Sequence, residues 1–297
     1  MLLSVFTKGR ERMIQYLLTG SQDQNCRGGI MTGTPFAVIR LASLRRDEMV
    51  VRLFFVFALS AALFSGESSR GLGDDDDGRL GLWRGRDPRV LYTVSIVERV
   101  VALTIDDAPD AATTPEILAV LERHGARATF FVIADQISGN ESLLERIVAE
   151  GHELGNHMTR DERSIELDPD AFERELLRAG AMLAPFGATR WFRPGSGYYD
   201  DEMLDILDRH GYRCALGSLY PIDAQLPWSA PAAYWIRWQA RPGAVIILHD
   251  RGERGRRTAK TLADVLPTLG LKGYRVVTLS ELAALGKRLE AESPDAP

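Results

Sequence analysis

Four polar clusters stand at the ends of short apolar runs, and their residue types could hydrolyse an amide or ester. Asp106-Asp107 follows the run 100–105, and His157, with Asp161 four residues on, follows 153–156. Arg193-Pro194-Gly195 ends the run 190–193, and His249-Asp250 follows the strongly apolar 245–248. Neighbouring side chains on a strand point to opposite faces, so two adjacent carboxylates reach one cavity only if the chain turns after them, as Ala108-Pro109 would make it do. One carboxylate could then bind a cation while the other, hydrogen-bonded but off the ion, takes a proton from water. By itself Asp106-Asp107 reads more readily as a helix cap before Pro109; the other three clusters reverse that order.

An imidazole and a carboxylate four residues apart, His157 and Asp161, can grip one ion. With Asp107 they would form an Asp-His-Asp set that leaves positions open for water and a substrate carbonyl. The alternative is that Asp161 caps the following segment and His157 bonds a backbone carbonyl. His152 and His157 lie five apart with Gly155 between them, which rules out the zinc-protease helix, whose histidines are four apart on one face. Arg193, emerging into a Gly-rich turn, can pair with a buried carboxylate and hold it ionised. Backbone N–H groups of that turn are free to face an oxyanion. His249 is a natural general acid for a leaving amine. His124 and His210 each precede a Gly at a helix C-terminus, where the dipole favours a cation, and read as structural.

Elements that could position these clusters recur along the chain. From about residue 89, apolar runs alternate with amphipathic stretches, which favours a parallel sheet. Strands are expected at 100–105, 128–133, 153–156, 190–193, 212–217, 244–249 and 275–279. Helices are expected at 114–124, 141–150, 169–183, 201–210, 230–239, 259–269 and 280–291. Seven strands, each followed by a helix, match an α/β fold of distorted (β/α)7 TIM-like barrel type, whose sites lie at the C-terminal strand ends. An open doubly wound sheet is the runner-up, but its single switch-point crevice would not call for clusters after so many strands.

With the clusters in order, the chain resembles the polysaccharide deacetylases, the NodB-homology group of carbohydrate esterase family 4, over residues 99–285. The family signature Thr-Phe-Asp-Asp-Gly-Pro is matched by Thr104-Ile105-Asp106-Asp107-Ala108-Pro109. The resemblance implies that Asp106 is the catalytic base and Asp107 a metal ligand. The next family motif has two histidines; His157 matches the first, and Asp161 stands in place of the second. Arg193-Pro194 and Gly197 match the third, with Ser196 where a Tyr usually offers its backbone N–H. Asp223 is placed at the fourth, without the usual adjacent Trp, in a position to orient His249. Ile246-Ile247-Leu248-His249 matches the last.

The implied activity is metal-dependent removal of N-acetyl groups from a chitin- or peptidoglycan-type glycan. Asp106, His249, Arg193 and Asp223 would be catalytic, Asp107, His157 and Asp161 would hold the metal, and Ser196, Gly197 and Tyr198 would serve the oxyanion and substrate. Asp161 for His shifts the ligands toward oxygen, adding manganese or cobalt to zinc as the single divalent ion. Rival readings are a metal-dependent amidase on a small non-sugar amide and a catalytically silent carbohydrate-binding module. Tyr198, Tyr199, Tyr220 and Trp228 could stack on sugar or pack in the core.

Composition is compatible with this. A net charge of −5 gives no reason to expect nucleic acid, and a neutral or cationic ligand fits better. Two cysteines, Cys26 and Cys214, lack neighbours at metal-ligand spacing and cannot make a disulfide framework; Cys214 reads as a small buried hydrophobe. No protein partner is implied. Residues 1–48 show no sustained periodicity and read as a disordered extension. Residues 53–64 are apolar, too short for an ordinary spanning helix, and preceded by Arg45, Arg46 and Arg52. Residues 49–66 are therefore expected to be a signal peptide or signal anchor, with Met49 a natural start and membrane attachment, if any, through 50–64. Residues 67–89, which include Asp74-Asp75-Asp76-Asp77, read as a solvated linker, since a calcium loop needs alternating ligands. The catalytic domain would cover 90–290 and a tail 291–297. Secretion or anchoring is the expected location.

Overall fold

The computed structural model describes residues 2–8, 11–17, 87–187 and 190–292. Expectations for the apolar segment 49–66, the linker up to residue 86, Cys26 and the last five residues lie outside them. Residues Met1–Gly73 form a unit separate from Asp74–Pro297. In the first unit, β1 (Leu2–Lys8) and β2 (Glu11–Leu17) pair antiparallel, Leu2 opposite Leu17. This hairpin lies within the segment 1–48 that was expected to be a disordered extension. Among the described residues, no helix is long and apolar enough to cross a membrane.

In the second unit, eight strands share one sheet, and every ladder in it is parallel. The strands are β3 (Val90–Leu91), β4 (Val100–Ala108), β5 (Thr129–Val132), β6 (Glu153–Asn156), β7 (Trp191–Phe192), β8 (Arg213–Ala215), β9 (Val245–His249) and β10 (Arg275–Val277). Seven of them are each followed by a helix: α1 (Thr114–Arg123), α2 (Glu141–Ala149), α3 (Pro169–Leu183), α4 (Asp201–Arg209), α5 (Ser229–Gln239), α6 (Gly252–Leu271) and α7 (Leu279–Glu292). The strand order is β10-β4-β5-β6-β7-β8-β3, and β9 also pairs with β4. Between β8 and β9 there is no ladder. An isolated parallel bridge, Leu219↔Ile246, follows β8 instead. This is the expected distorted barrel.

Two elements differ from expectation. Strand β3, at the sheet edge beside β8, is too short to show a period. Helix α6 begins at Gly252 rather than at 259, because two glycines and a run of charges hide its start from pattern reading. Gly255 explains why the helix nevertheless forms there. A Cβ at that position would lie 2.4 Å from Thr113 Oγ1 and 2.5 Å from Asp250 Oδ1, so the first turn of α6 presses directly on the start of α1 and the residue after β9.

All nine residues of β4 are buried, as parallel strands covered on both faces must be. Leu103, Ile105, Phe130, Val132, Ile246 and Leu248 form the largest core cluster with the inner faces of α1 and α6. A second cluster joins Phe172, Leu176, Phe192, Leu204 and Leu207, and includes Cys214, buried as expected. Helix entries use local chemistry: Asp168 accepts from Ala171 N–H at the start of α3, and Asp200 from Met203 N–H at the start of α4.

The Arg193–Gly197 turn is held against the loop after β6. Gly195 N–H donates to Ser164 Oγ at 3.0 Å, and a Cβ on Gly195 would meet the Glu162 carbonyl oxygen at 1.9 Å. The obstacle is backbone and cannot rotate away. Gly195→Ala is therefore expected to cost about 1–3 kcal/mol, read as a lowered thermal midpoint; an unchanged midpoint would mean that the two loops do not pack this closely.

Candidate active site

Asp106 and Asp107 lie near the end of β4, and the backbone there explains how both reach one site. The β4–β5 register shifts between Ile105 and Ala108, and Asp107 takes a left-handed φ of 67°. This break in the pleat cancels the alternation that would send the two carboxylates apart. Asp is among the few non-glycine residues that adopt this conformation at modest cost. Ala108, where the family motif has Gly, is not among the positive-φ residues and carries no such strain.

Asp106 faces a buried guanidinium. Arg193 Nη1 donates to Asp106 Oδ1 at 2.6 Å and to Thr104 Oγ1 at 2.8 Å, Nε to the Ala215 carbonyl at 2.8 Å, and Nη2 to the Leu216 carbonyl at 2.7 Å. Its plane stacks over Phe131, with Cζ 4.1 Å from the ring centroid. Burial alone would raise the Asp106 carboxyl, but Arg193, assisted by His157 and His249, outweighs it and holds the acid below its ordinary value. Asp106 is therefore kept as an anion, the form a general base needs.

His249 is brought beside Asp106 by the β4–β9 register, in which the two residues are partners. Its Nδ1 lies 3.1 Å from both carboxylate oxygens of Asp223, which also accepts the His249 backbone N–H at 3.0 Å. Burial opposes a charged ring. The Asp223 carboxylate, with Asp106 and Asp107 behind it, prevails and raises His249 above its ordinary value. Tyr220 packs edge-on against the same ring, at 5.9 Å between centroids.

His157 stands on the loop after β6. Its Nδ1 is 2.7 Å from the Arg193 carbonyl. A carbonyl can only accept, so Nδ1 carries a proton, and in the neutral ring the Nε2 lone pair faces Asp107 Oδ1 at 3.7 Å. Asp107 Oδ2 is buried without a hydrogen bond. Arg254 Nη1 lies 3.0 Å from that oxygen, near enough for ionic attraction but not aligned to donate to it. Burial raises the Asp107 carboxyl above its ordinary value, with Asp106 adding to the effect.

Asp161 departs from expectation. It does not join Asp107 and His157 around a common point; its half-exposed carboxylate pairs with Arg251 at 3.3 Å and lies 4.0 Å from Arg254. Two guanidiniums, Arg251 just before α6 and Arg254 in its first turn, draw it aside, and nothing in the local sequence signals them. Gly197, expected to serve the oxyanion or substrate, gives its N–H to the Pro194 carbonyl at 3.1 Å. Ser196 is exposed, with a left-handed φ of 63°, at the tip of the turn. Tyr198 stacks under Arg163, and Tyr199 shares a hydrogen bond with Tyr92 at 2.6 Å beside the second core cluster. Asp250 is structural: it bonds Thr113 and Thr114 at the start of α1, and burial pushes its carboxyl up to about 6. His152 and His157 flank strand β6, consistent with rejecting a zinc-protease helix. His210 pairs with Glu173, and His124 closes α1.

Comparison with known proteins agrees with this geometry. The family model for polysaccharide deacetylase matches residues 94–215. A peptidoglycan-N-acetylglucosamine deacetylase of Bacillus cereus is 32% identical over 201 residues, covering 65% of this chain and 92% of that protein. A chitooligosaccharide deacetylase of Sinorhizobium fredii is 36% identical over 195 residues, covering 61% and 90%. A solved peptidoglycan N-acetylglucosamine deacetylase superposes with a TM-score of 0.63 at 25% identity, covering 65% of this chain and 92% of that one. The chain belongs to the polysaccharide deacetylase family, whose members are hydrolases that generally depend on a divalent metal.

The residues present meet that requirement only in part. The orphaned Asp107 oxygen and the His157 lone pair are two donors of the right kind. Among the described residues, however, no three His, Cys, Asp or Glu side chains are grouped so that they could hold one ion. Arg254, which sequence reading did not single out, supplies positive charge at Asp107 instead.

The two shifted groups set the expected pH dependence. As a base Asp106 would act ionised, and its lowered value favours that form below the ordinary carboxylate range. As an acid His249 would act protonated, and its raised value favours that form above the ordinary imidazole range. Asp223→Asn removes the carboxylate that raises His249, so the alkaline limb of the kcat/KM profile should move to lower pH while the acid limb stays. An unmoved alkaline limb would disconnect Asp223 from His249.

Proposed function

We propose that this protein hydrolyses N-acetyl groups on a glycan containing N-acetylglucosamine, of peptidoglycan or chitin type. The observation that carries this reading is the pairing across β4 and β9. An anionic carboxylate held by Arg193 stands next to an imidazole held protonated by Asp223. Base and acid are thus adjacent and oppositely poised, as two successive proton transfers require. The two relatives are named for deacetylation of peptidoglycan N-acetylglucosamine and of chitooligosaccharide.

Asp106 takes a proton from water as the water oxygen bonds to the amide carbon. Arg193 keeps Asp106 ionised and aimed, since its own position is fixed by the Ala215 and Leu216 carbonyls and Thr104. As the C–N bond of the tetrahedral intermediate breaks, His249 gives its proton to the departing amine nitrogen, leaving acetate and a free glucosamine amine. A divalent ion, when bound, would be held by Asp107 and His157 and would polarise the amide carbonyl. Zinc, manganese and cobalt are the candidates, with oxygen donors favouring the latter two. Ser196, at the exposed tip of its turn, is the backbone donor nearest in sequence to the place an oxyanion group occupies in the family. Exposed Tyr220 and Trp228 offer stacking faces for sugar. The apolar run 53–64, with its preceding arginines, supports export or N-terminal anchoring, where such glycans are met.

Acetate release from N-acetylated chitooligosaccharides and peptidoglycan fragments, with and without added divalent metal, tests the reading. Asp106→Asn should lower kcat at least about 100-fold, the range of a lost general base, while leaving metal content unchanged. Full activity in that variant would remove Asp106 from its role. A wild-type chain that binds glycan but releases no acetate with any metal would reduce the protein to a binding module.

A further inference from the structure

Neither acid–base chemistry nor the barrel core accounts for Arg254, which stands beside Asp107. It lies on the first turn of α6, with Nη1 3.0 Å from Asp107 Oδ2 and Nη2 4.0 Å from Asp161 Oδ2. Its placement is enforced by packing. Gly255, the next residue, has no side chain and lets α6 close onto Thr113 and Asp250. The turn into the helix is made through Arg251 at φ 76° and Gly252 at φ 56°. Asp250, the last residue before that turn, is clamped by both threonines and by Arg251 N–H. The guanidinium therefore reaches over the strand ends from a fixed base, with a third of its side chain exposed toward solvent.

We infer that Arg254 is a built-in counter-ion that competes with a divalent cation for Asp107 and Asp161. The inference rests on the reading of Asp107 and His157 as the donors of a deacetylase ion. A guanidinium 3.0 Å from a buried carboxylate oxygen and a divalent ion on that same oxygen repel each other. One must leave for the other to bind. Arg254 can leave, because its stem opens to solvent; Asp107 cannot follow, because it is buried at the end of β4. Asp161 fits this arrangement better than an imidazole would. A carboxylate gives Arg251 and Arg254 a shared anchor, and it becomes available to an ion only when the guanidinium has swung out. The apparent affinity for metal is then the intrinsic affinity multiplied by the fraction of molecules in which Arg254 is displaced.

The test is a titration of chelator-treated full-length protein with cobalt(II), followed by its visible absorption bands and by calorimetry, so that no turnover is needed. Arg254→Met removes the charge and keeps an unbranched side chain. It should bind cobalt at least about tenfold more tightly than wild type, as removal of a competitor that occupies the site nine-tenths of the time would produce. Arg254→Gln should tighten binding likewise, and Arg254→Lys should stay near wild type. Equal or weaker binding in both neutral variants overturns the inference, as does cobalt binding that survives Asp107→Asn. The deacetylase reading is judged separately. Tighter cobalt binding without acetate release from any N-acetylated glycan would leave the counter-ion standing and remove the enzyme. Acetate release with unchanged affinity would do the reverse.

Discussion

The site depends on one buried ion pair, Arg193 with Asp106. Both side chains are almost wholly excluded from water, and their contact is 2.6 Å. Charges are costly to bury unless paired and hydrogen-bonded, and removing one partner of such a pair costs about 3–5 kcal/mol. Here the cost is met by geometry. Four of the five guanidinium N–H groups have acceptors, drawn from β4, β8 and the residue after β8, and the aromatic face of Phe131 covers the plane. The same guanidinium therefore ties three parts of the barrel together and keeps a carboxylate ionised where burial would otherwise protonate it.

From this pair the remaining chemistry follows by register. Strand β9 pairs with β4 so that His249 lies opposite Asp106, and the loop after β8 returns with Asp223 to hold His249 in one orientation. The Arg193 carbonyl holds His157 Nδ1 at 2.7 Å, so the residue that orients Asp106 also orients His157. Asp106, His249 and His157 are coupled through backbone that the parallel ladder has already set. None of them depends on a freely moving side chain.

Asp107 and Arg254 mark where the site departs from simple preorganisation. A left-handed backbone and a register shift are needed to turn Asp107 into the cavity, and the cost of both is borne by the fully buried β4. The charge that balances Asp107 comes from α6, a helix drawn tight to the strand ends by Gly255. Local strain and a borrowed cation thus meet at one carboxylate, the kind of concentration expected at functional rather than structural positions.

Much of this could be read from the chain alone, because strand and helix periods are local. The run 100–105, the capped helix from Pro169 and the apolar 245–248 each announce their element, and an acid pair or histidine at a run's end is placed at the barrel mouth by the fold's own rule. Seven strand–helix units, an Arg193 paired with a buried carboxylate and the His249 position were legible for that reason. Strand β3 was not, since two residues carry no period and exist as a strand only through β8. Nor was the early start of α6, because Gly252 and Gly255 look like helix breakers until Thr113 and Asp250 are seen against them. Asp161 shows the limit most clearly. Its spacing from His157 suits a metal, but a carboxylate goes to whichever positive charge the folded chain brings nearest. Arg251 and Arg254 come from 90 or more residues away, and an electrostatic competition over that sequence distance is resolved in space, not in the order of the residues.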